Sequence, residues 1–159
     1  MKKVQNVWTK LYWILPILIF CFDRFTKYWV MYHLPFYKLN DYMSVSLTFN
    51  RGISFGMFHS QSNVVFAIVN CMILSVMVAL LVYMYQRMRE GKIILAELCV
   101  LTGAICNNLI DRFLYAGVVD FISLSYGSWY FPVFNVADIA ICCGVCVILL
   151  VEIVWHQES

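Results

Sequence analysis

Three features of the 159-residue sequence predict a membrane protein built of helices, with a small β element outside the bilayer. Hydrophobic residues make up 63% of the chain and charged residues only 13%, a balance that a water-soluble domain does not reach. Residues 52–86 contain no Asp, Glu, Lys or Arg, and a helix needs about 20 largely apolar residues to cross hydrocarbon. Residues 43–50 alternate strictly, with Met43, Val45, Leu47 and Phe49 on one side and Ser44, Ser46, Thr48 and Asn50 on the other, which is the period of a strand.

The same length and hydropathy criteria give four spans in one domain covering residues 1–159, at about 11–33, 63–85, 92–115 and 134–155. Lys2, Lys3 and Lys10 precede the first span, and Arg87, Arg89 and Lys92 separate the second from the third. Basic residues mark cytoplasmic ends, so both termini and that short connection are expected inside, with two outer loops at about 34–62 and 116–133. A cleavable signal peptide is the rival reading of the first segment. Its place for a small-residue cleavage site is taken by Asp23, Arg24 and Lys27, which argues against it.

Along the first span, Asp23 and Lys27 are four residues apart and share a helix face. Two readings stand: an anchoring pair at the outer interface beside Tyr28, Trp29 and Tyr32, or a support for a functional site. Pro35 ends the helix, the alternating strand follows, and Ile122, Leu124 and Tyr126 alternate with Ser123 and Ser125 before a Gly127-Ser128 turn. These stretches predict a small sheet that rests on the bilayer, because a strand edge cannot stay unpaired against lipid. Gly52 and Gly56 precede the second span, where they suit a tight turn better than helix pairing. Within that span Asn70 is the one strongly polar interior residue, and packing is its expected role. The seven cysteines fall in the spans, and Cys143 and Cys146 lack a second pair or a nearby His to complete a metal site, so no chemistry is assigned to them.

The functional argument rests on residues 103–121 (GAICNNLIDRFLYAGVVDF) and 134–138 (FNVAD). If the third span travels outward and the fourth inward, Asn108, Asp111, Arg112, Asn135 and Asp138 all arrive at one membrane edge. Asn135 and Asp138 read simply as a helix cap with an acid in the first turn. That reading leaves Asp120 unexplained. Were residues 121–133 to fold back as a hairpin, Asp120 and Asp138 would meet, and two carboxylates in a partly dry site share one proton. Such a pair activates water: one member acts as base while the protonated one polarises a carbonyl.

With these residues in place, the chain resembles the lipoprotein signal peptidase (signal peptidase II) family of bacteria. Asp23, Thr26 and Lys27 resemble its first block, residues 50–56 (NRGISFG) its N-x-G-x-A-F block, residues 103–121 its G-G-x-x-G-N-x-x-D-R and V-V-D-F blocks, and residues 134–138 its F-N-x-A-D block. The resemblance implies an aspartic endopeptidase of four membrane helices that cuts prolipoproteins before a diacylglyceryl-modified Cys. It implies a catalytic pair Asp120 and Asp138, substrate contacts from Asn50, Gly52, Asn108, Arg112 and Asn135, and support from Asp23, Lys27 and Asp111. No metal or cofactor is implied. The expected partners are the prolipoprotein and membrane lipid, with no nucleic acid, and the expected form is a monomer in the bacterial inner membrane with its site near the outer face. The chain departs from the pattern at Ala104, Asn107 and Ser54, all packing or turn positions. A proton or cation path through Asp111, Asp120 and Asp138 is the alternative from another class. It meets the difficulty that Glu97 and Glu152 lie at the opposite end with no polar ladder between. A metal hydrolase would need paired ligands, and His33, His59 and His156 offer no such spacing.

Overall fold

The computed structural model describes residues 14–52, 60–90, 95–104 and 109–158, the side chains of 155–158 excepted. Helix α1 (Ile14–His33) buries Pro16, Asp23, Lys27 and Val30, a stripe at helical spacing. Its other faces carry exposed Ile17, Leu18, Phe22 and Phe25. Helix α2 (Asn63–Arg89) starts where the Ser62 hydroxyl accepts from the Val65 amide, and ends with Arg87 and Arg89, cations that suit the negative end of the helix dipole. At 27 residues it is about 40 Å long. The third segment is a helix α3 (Leu95–Ala104), followed beyond residue 108 by a π-helical turn at 109–110 and a short helix α4 (Asp111–Tyr115). Helix α5 (Val136–Glu158) is the last. Among the described residues, α2 and the part of α5 from Val136 to Val154 are long and apolar enough to cross a membrane, and little of either is buried within the protein. Apolar surface left uncovered on that scale fits contact with hydrocarbon.

What brings α3 against α5 is the absence of side chains. A Cβ on Gly103 would stand 2.8 Å from the Ala137 carbonyl oxygen, and one on Gly144 would run into Val100 Cγ2 and stand 2.9 Å from the Ala96 carbonyl oxygen. In a membrane, close backbone approach is a main source of helix attraction, because lipid offers no hydrophobic drive between helices. Gly144 is a contact that sequence reasoning did not single out. At the end remote from the site, Arg87 of α2 pairs with Glu97 of α3 at 2.8 Å and with Glu152 of α5 at 2.6 Å, so a cation from one helix holds acids from two others.

Strands β1 (Phe36–Lys38), β2 (Met43–Asn50), β3 (Val118–Tyr126) and β4 (Trp129–Phe134) form one antiparallel sheet in sequence order. Asn40 shapes the β1–β2 turn by accepting from the amides of Tyr42 and Met43, each at 2.8 Å. Gly127, at φ 59°, makes the β3–β4 turn, and its left-handed backbone is one that glycine adopts without strain. The alternation of 43–50 does mark a strand, yet no residue of β2 before Asn50 is fully buried, so the apolar side is not sealed inside the protein. Strand β3 begins earlier than the alternation suggests. Val118, Val119, Asp120 and Phe121 are all buried, and a strand covered on both faces reads as a continuous run and not as an alternation. β2 and β3 pair Thr48 with Asp120 and Asn50 with Val118, with an irregularity between Val45 and Thr48. Ala116, at φ 54°, turns the chain from α4 into β3.

The glycine contacts predict that Gly144→Val lowers thermal stability in detergent by about 1–3 kcal/mol, as an overpacked interface does. Cys142→Val, at an exposed position of the same helix, should leave the melting temperature unchanged. Equal melting curves for the two variants would refute the close α3–α5 approach.

Candidate active site

Asp120 occupies the buried base of β3, and Asp138 stands half-buried in the first turn of α5. The residue that joins them is Asn135. Its side-chain amide donates to Asp120 Oδ1 at 2.6 Å and to the Val119 carbonyl at 3.3 Å, while its Oδ1 accepts from the Asp138 amide at 3.0 Å. Its own backbone N–H donates to Asp138 Oδ2 at 3.1 Å, which closes a reciprocal cap. Asn135 is completely buried, so the cap foreseen from sequence is also the link between the two acids.

The second oxygen of Asp120 accepts from Asn50 Nδ2 at 3.1 Å, and Asn50 Oδ1 accepts from the Gly52 amide at 2.9 Å. Each oxygen of Asp120 therefore receives one side-chain amide N–H. The carboxyl is pushed up from the ordinary value to about 7, first by burial and then by the negative charge of Asp138. The two asparagine amides and the charge of Lys27 oppose that rise without cancelling it.

Behind the pair lies a buried cluster of four charges. Lys27 Nζ stands 2.9 Å from Asp23 Oδ2 and 2.8 Å from Asp111 Oδ2. Arg24 reaches the same two acids, Asp111 at 2.5 Å and Asp23 at 3.2 Å. The remaining bonds of these acids go to the backbone: Asp23 Oδ1 accepts from the Ala137 amide and Asp111 Oδ2 from the Val119 amide, both at 3.1 Å. Ala137 directly precedes Asp138, and Val119 directly precedes Asp120. One lysine thus ties together two carboxylates, each holding the main chain next to one acid of the pair. Asp23 and Lys27 are thus buried within the protein and bonded to Asp111 and to the main chain before Asp138. Arg24 was legible only as a charge in an apolar helix, which implies a partner without naming it.

Arg112 is buried and donates to the carbonyls of Arg51, at 3.2 Å, and Gly52, so it braces the chain after β2. Its guanidinium also lies over the Phe66 ring, 5.5 Å from the centroid. Gly117 packs against the same stretch, where a Cβ would meet the Asn50 carbonyl oxygen at 3.3 Å. Asn108, expected to contact substrate, lies outside the described residues, as do Ser54 and Asn107. Of the other residues marked in the sequence, Asn50, Gly52, Asp111, Arg112, Asp120, Asn135 and Asp138 are brought into one bonded neighbourhood at the base of the sheet. Arg51 and Phe66 belong to its edge and were not foreseen, since neither stands at a spacing that marks chemistry.

The sequence and the fold have known counterparts. The family profile described as Signal peptidase (SPase) II matches residues 15–154. The lipoprotein signal peptidase of Blochmanniella pennsylvanica is 34% identical, over 94% of this chain and 88% of its own length. That of Yersinia enterocolitica is 29% identical, over 95% of this chain and 92% of its own. Among solved structures, one described as a bacterial membrane enzyme determined by the in meso method at 2.3 Å resolution superposes with a TM-score of 0.74 over 94% of this chain and 92% of the other, at 20% identity, a likeness of fold alone. Matched along nearly its whole length, and carrying the two acids inside the matched segment, the chain belongs to the signal peptidase II family.

Proposed function

We propose that this family member is an aspartic endopeptidase of the bacterial inner membrane. It removes the signal peptide of a prolipoprotein by cutting before a diacylglyceryl-modified Cys, with Asp120 and Asp138 as the dyad. The observation that carries the reading is the shared bonding of the two acids to Asn135, together with the raised affinity of Asp120 for a proton. Four membrane helices, cytoplasmic termini and a site at the outer edge complete the proposal. A single chain suffices, because both acids and their supports come from one copy.

The buried Asp120 holds the proton of the pair, and the half-buried Asp138 is the carboxylate that meets water. Asp138 takes a proton from a water molecule as its oxygen attacks the scissile carbonyl carbon, and Asp120 gives its proton to the carbonyl oxygen. A gem-diol results. It collapses as Asp138 passes its proton to the leaving nitrogen of the Cys, and one gem-diol hydroxyl returns a proton to Asp120. Asn50 and Asn135 keep the Asp120 carboxyl fixed while its charge changes, because each occupies one oxygen. Arg112 holds the Arg51-Gly52 main chain in place as one wall for the substrate, with Asn108 assigned to the same wall.

Cleavage of a diacylglyceryl-modified precursor peptide by the purified chain tests this directly. Asp120→Asn and Asp138→Asn should each cut at a rate lower by about 10²–10⁴-fold, with a chelator having no effect on the parent. Full activity in either variant would contradict the dyad. A second expectation concerns pH. The folded chain binds the Asp120 proton up to about pH 7 whereas an unfolded chain releases it near the ordinary carboxylate value. This group's contribution to stability therefore declines as pH rises from about 4 to 7 and stays at its lower level above that. Asp138→Asn removes a repelling charge, so the decline should end at lower pH; an unchanged profile would show that the two acids do not interact. Third, Lys27→Met leaves two buried acids sharing only Arg24, and should cost about 3–5 kcal/mol of stability, measured by thermal unfolding in detergent. A loss below about 1 kcal/mol would remove Lys27 from its bridging role.

A further inference from the structure

Beside the site, α2 carries a groove of about 590 Å³ whose lining residues have no part in the proposed mechanism. Its lining runs along the helix from Asn63 at the upper end to Ser75, with Val64, Ala67, Ile68, Cys71 and Met72 between. The Ser75 hydroxyl donates to the Cys71 carbonyl of its own helix at 2.9 Å, which leaves the lower groove without a polar demand. From Asn63 to Ser75 the groove runs about 18 Å along the helix, close to one leaflet of a hydrocarbon core about 30 Å thick.

The upper end is charged. Arg51 donates to Asn63 Oδ1 at 2.8 Å and lies 4.8 Å from the centroid of the Phe66 ring, the ring that Arg112 also approaches. Among the described residues no carboxylate pairs with Arg51, and its Nε has no acceptor. No acid occurs in the sequence between Asp41 and Glu90 that could supply one. A cation with only neutral partners, beside a second guanidinium, favours an anion at this place.

We propose that this groove holds one phospholipid of the leaflet on the side of the site, with its phosphate at Arg51 and one acyl chain along Val64, Ile68 and Met72. The charge at the head and the apolar length below it together match that ligand, and neither alone would. A bound lipid here would form part of the wall beside the peptidase site, whatever the substrate of that site is.

Native mass spectrometry of the full chain released from detergent micelles tests the proposal, with dioleoyl phosphatidylglycerol and dioleoylglycerol as probes. The parent chain should retain the phospholipid at least fivefold more than the phosphate-free diacylglycerol. Arg51→Gln should abolish that preference, Arg51→Lys should keep part of it, and Ala67→Phe, which fills the groove, should lower retention of both. Circular dichroism on each variant verifies the fold, and the two-lipid comparison on the parent decides the matter even if a variant fails to fold. Equal retention of both probes by the parent would overturn the proposal and assign the groove to a diacylglyceryl group. An undiminished preference in Arg51→Gln would overturn it as well, by removing the cation from the site.

Discussion

The contact on which the rest of the structure depends is the bridge from Lys27 to Asp23 and Asp111. A buried ion pair is an expensive way to hold helices together, and apolar packing of the same volume often does so better. What apolar packing cannot do is accept hydrogen bonds from two chosen backbone amides. Asp23 and Asp111 accept them from Ala137 and Val119, the residues before Asp138 and Asp120. The bridge therefore helps fix, through one ammonium group, the separation of a helix start and a strand base that Asn135 also joins directly. With Arg24 included, two cations face two acids, so the cluster itself is neutral and burying it does not load the site with excess charge.

Beyond the bridge, the two acids differ in burial. Asp120 is nearly inaccessible and Asp138 is half-open, although both bond to the same asparagine. Burial and the neighbouring charge act together on Asp120, and two amide donors limit how far the proton affinity rises. In the proposed mechanism that balance is the useful property, because a carboxyl that titrates near neutrality can both give and regain a proton within one cycle. At the remote end the buried Arg87 and Glu97 and the partly exposed Glu152 join α2, α3 and α5 without any exchangeable role in the site.

Much of this was legible from residue type. The charge-free run of 52–86 marked a helix by its length and apolar character, and the alternation of 43–50 marked a strand by its period of two. The cap at Asn135 and Asp138 was legible for the same local reason. Strand β3 was legible only from residue 121 onward, because its first residues are buried on both faces and so carry no alternation. The third segment reads as one apolar run, whereas the described structure is α3 and, after the turn at 109–110, the short α4. The Gly144 contact and the stacking of Arg51 on Phe66 depend on which helices become neighbours, which a single sequence does not state. The three-way bonding of Asn135, to Asp120, Val119 and Asp138, is of the same kind.

The measurement that reaches the central claim most directly is infrared difference spectroscopy of the carboxyl groups across a pH titration, on the parent chain and on Asp120→Asn. The account predicts one protonated carboxylic acid that persists well above the ordinary carboxylate range, disappears near pH 7, and is missing from the variant. A parent spectrum with no carboxylic acid left at pH 6, or one that survives unchanged in Asp120→Asn, would contradict the shared proton and with it the dyad.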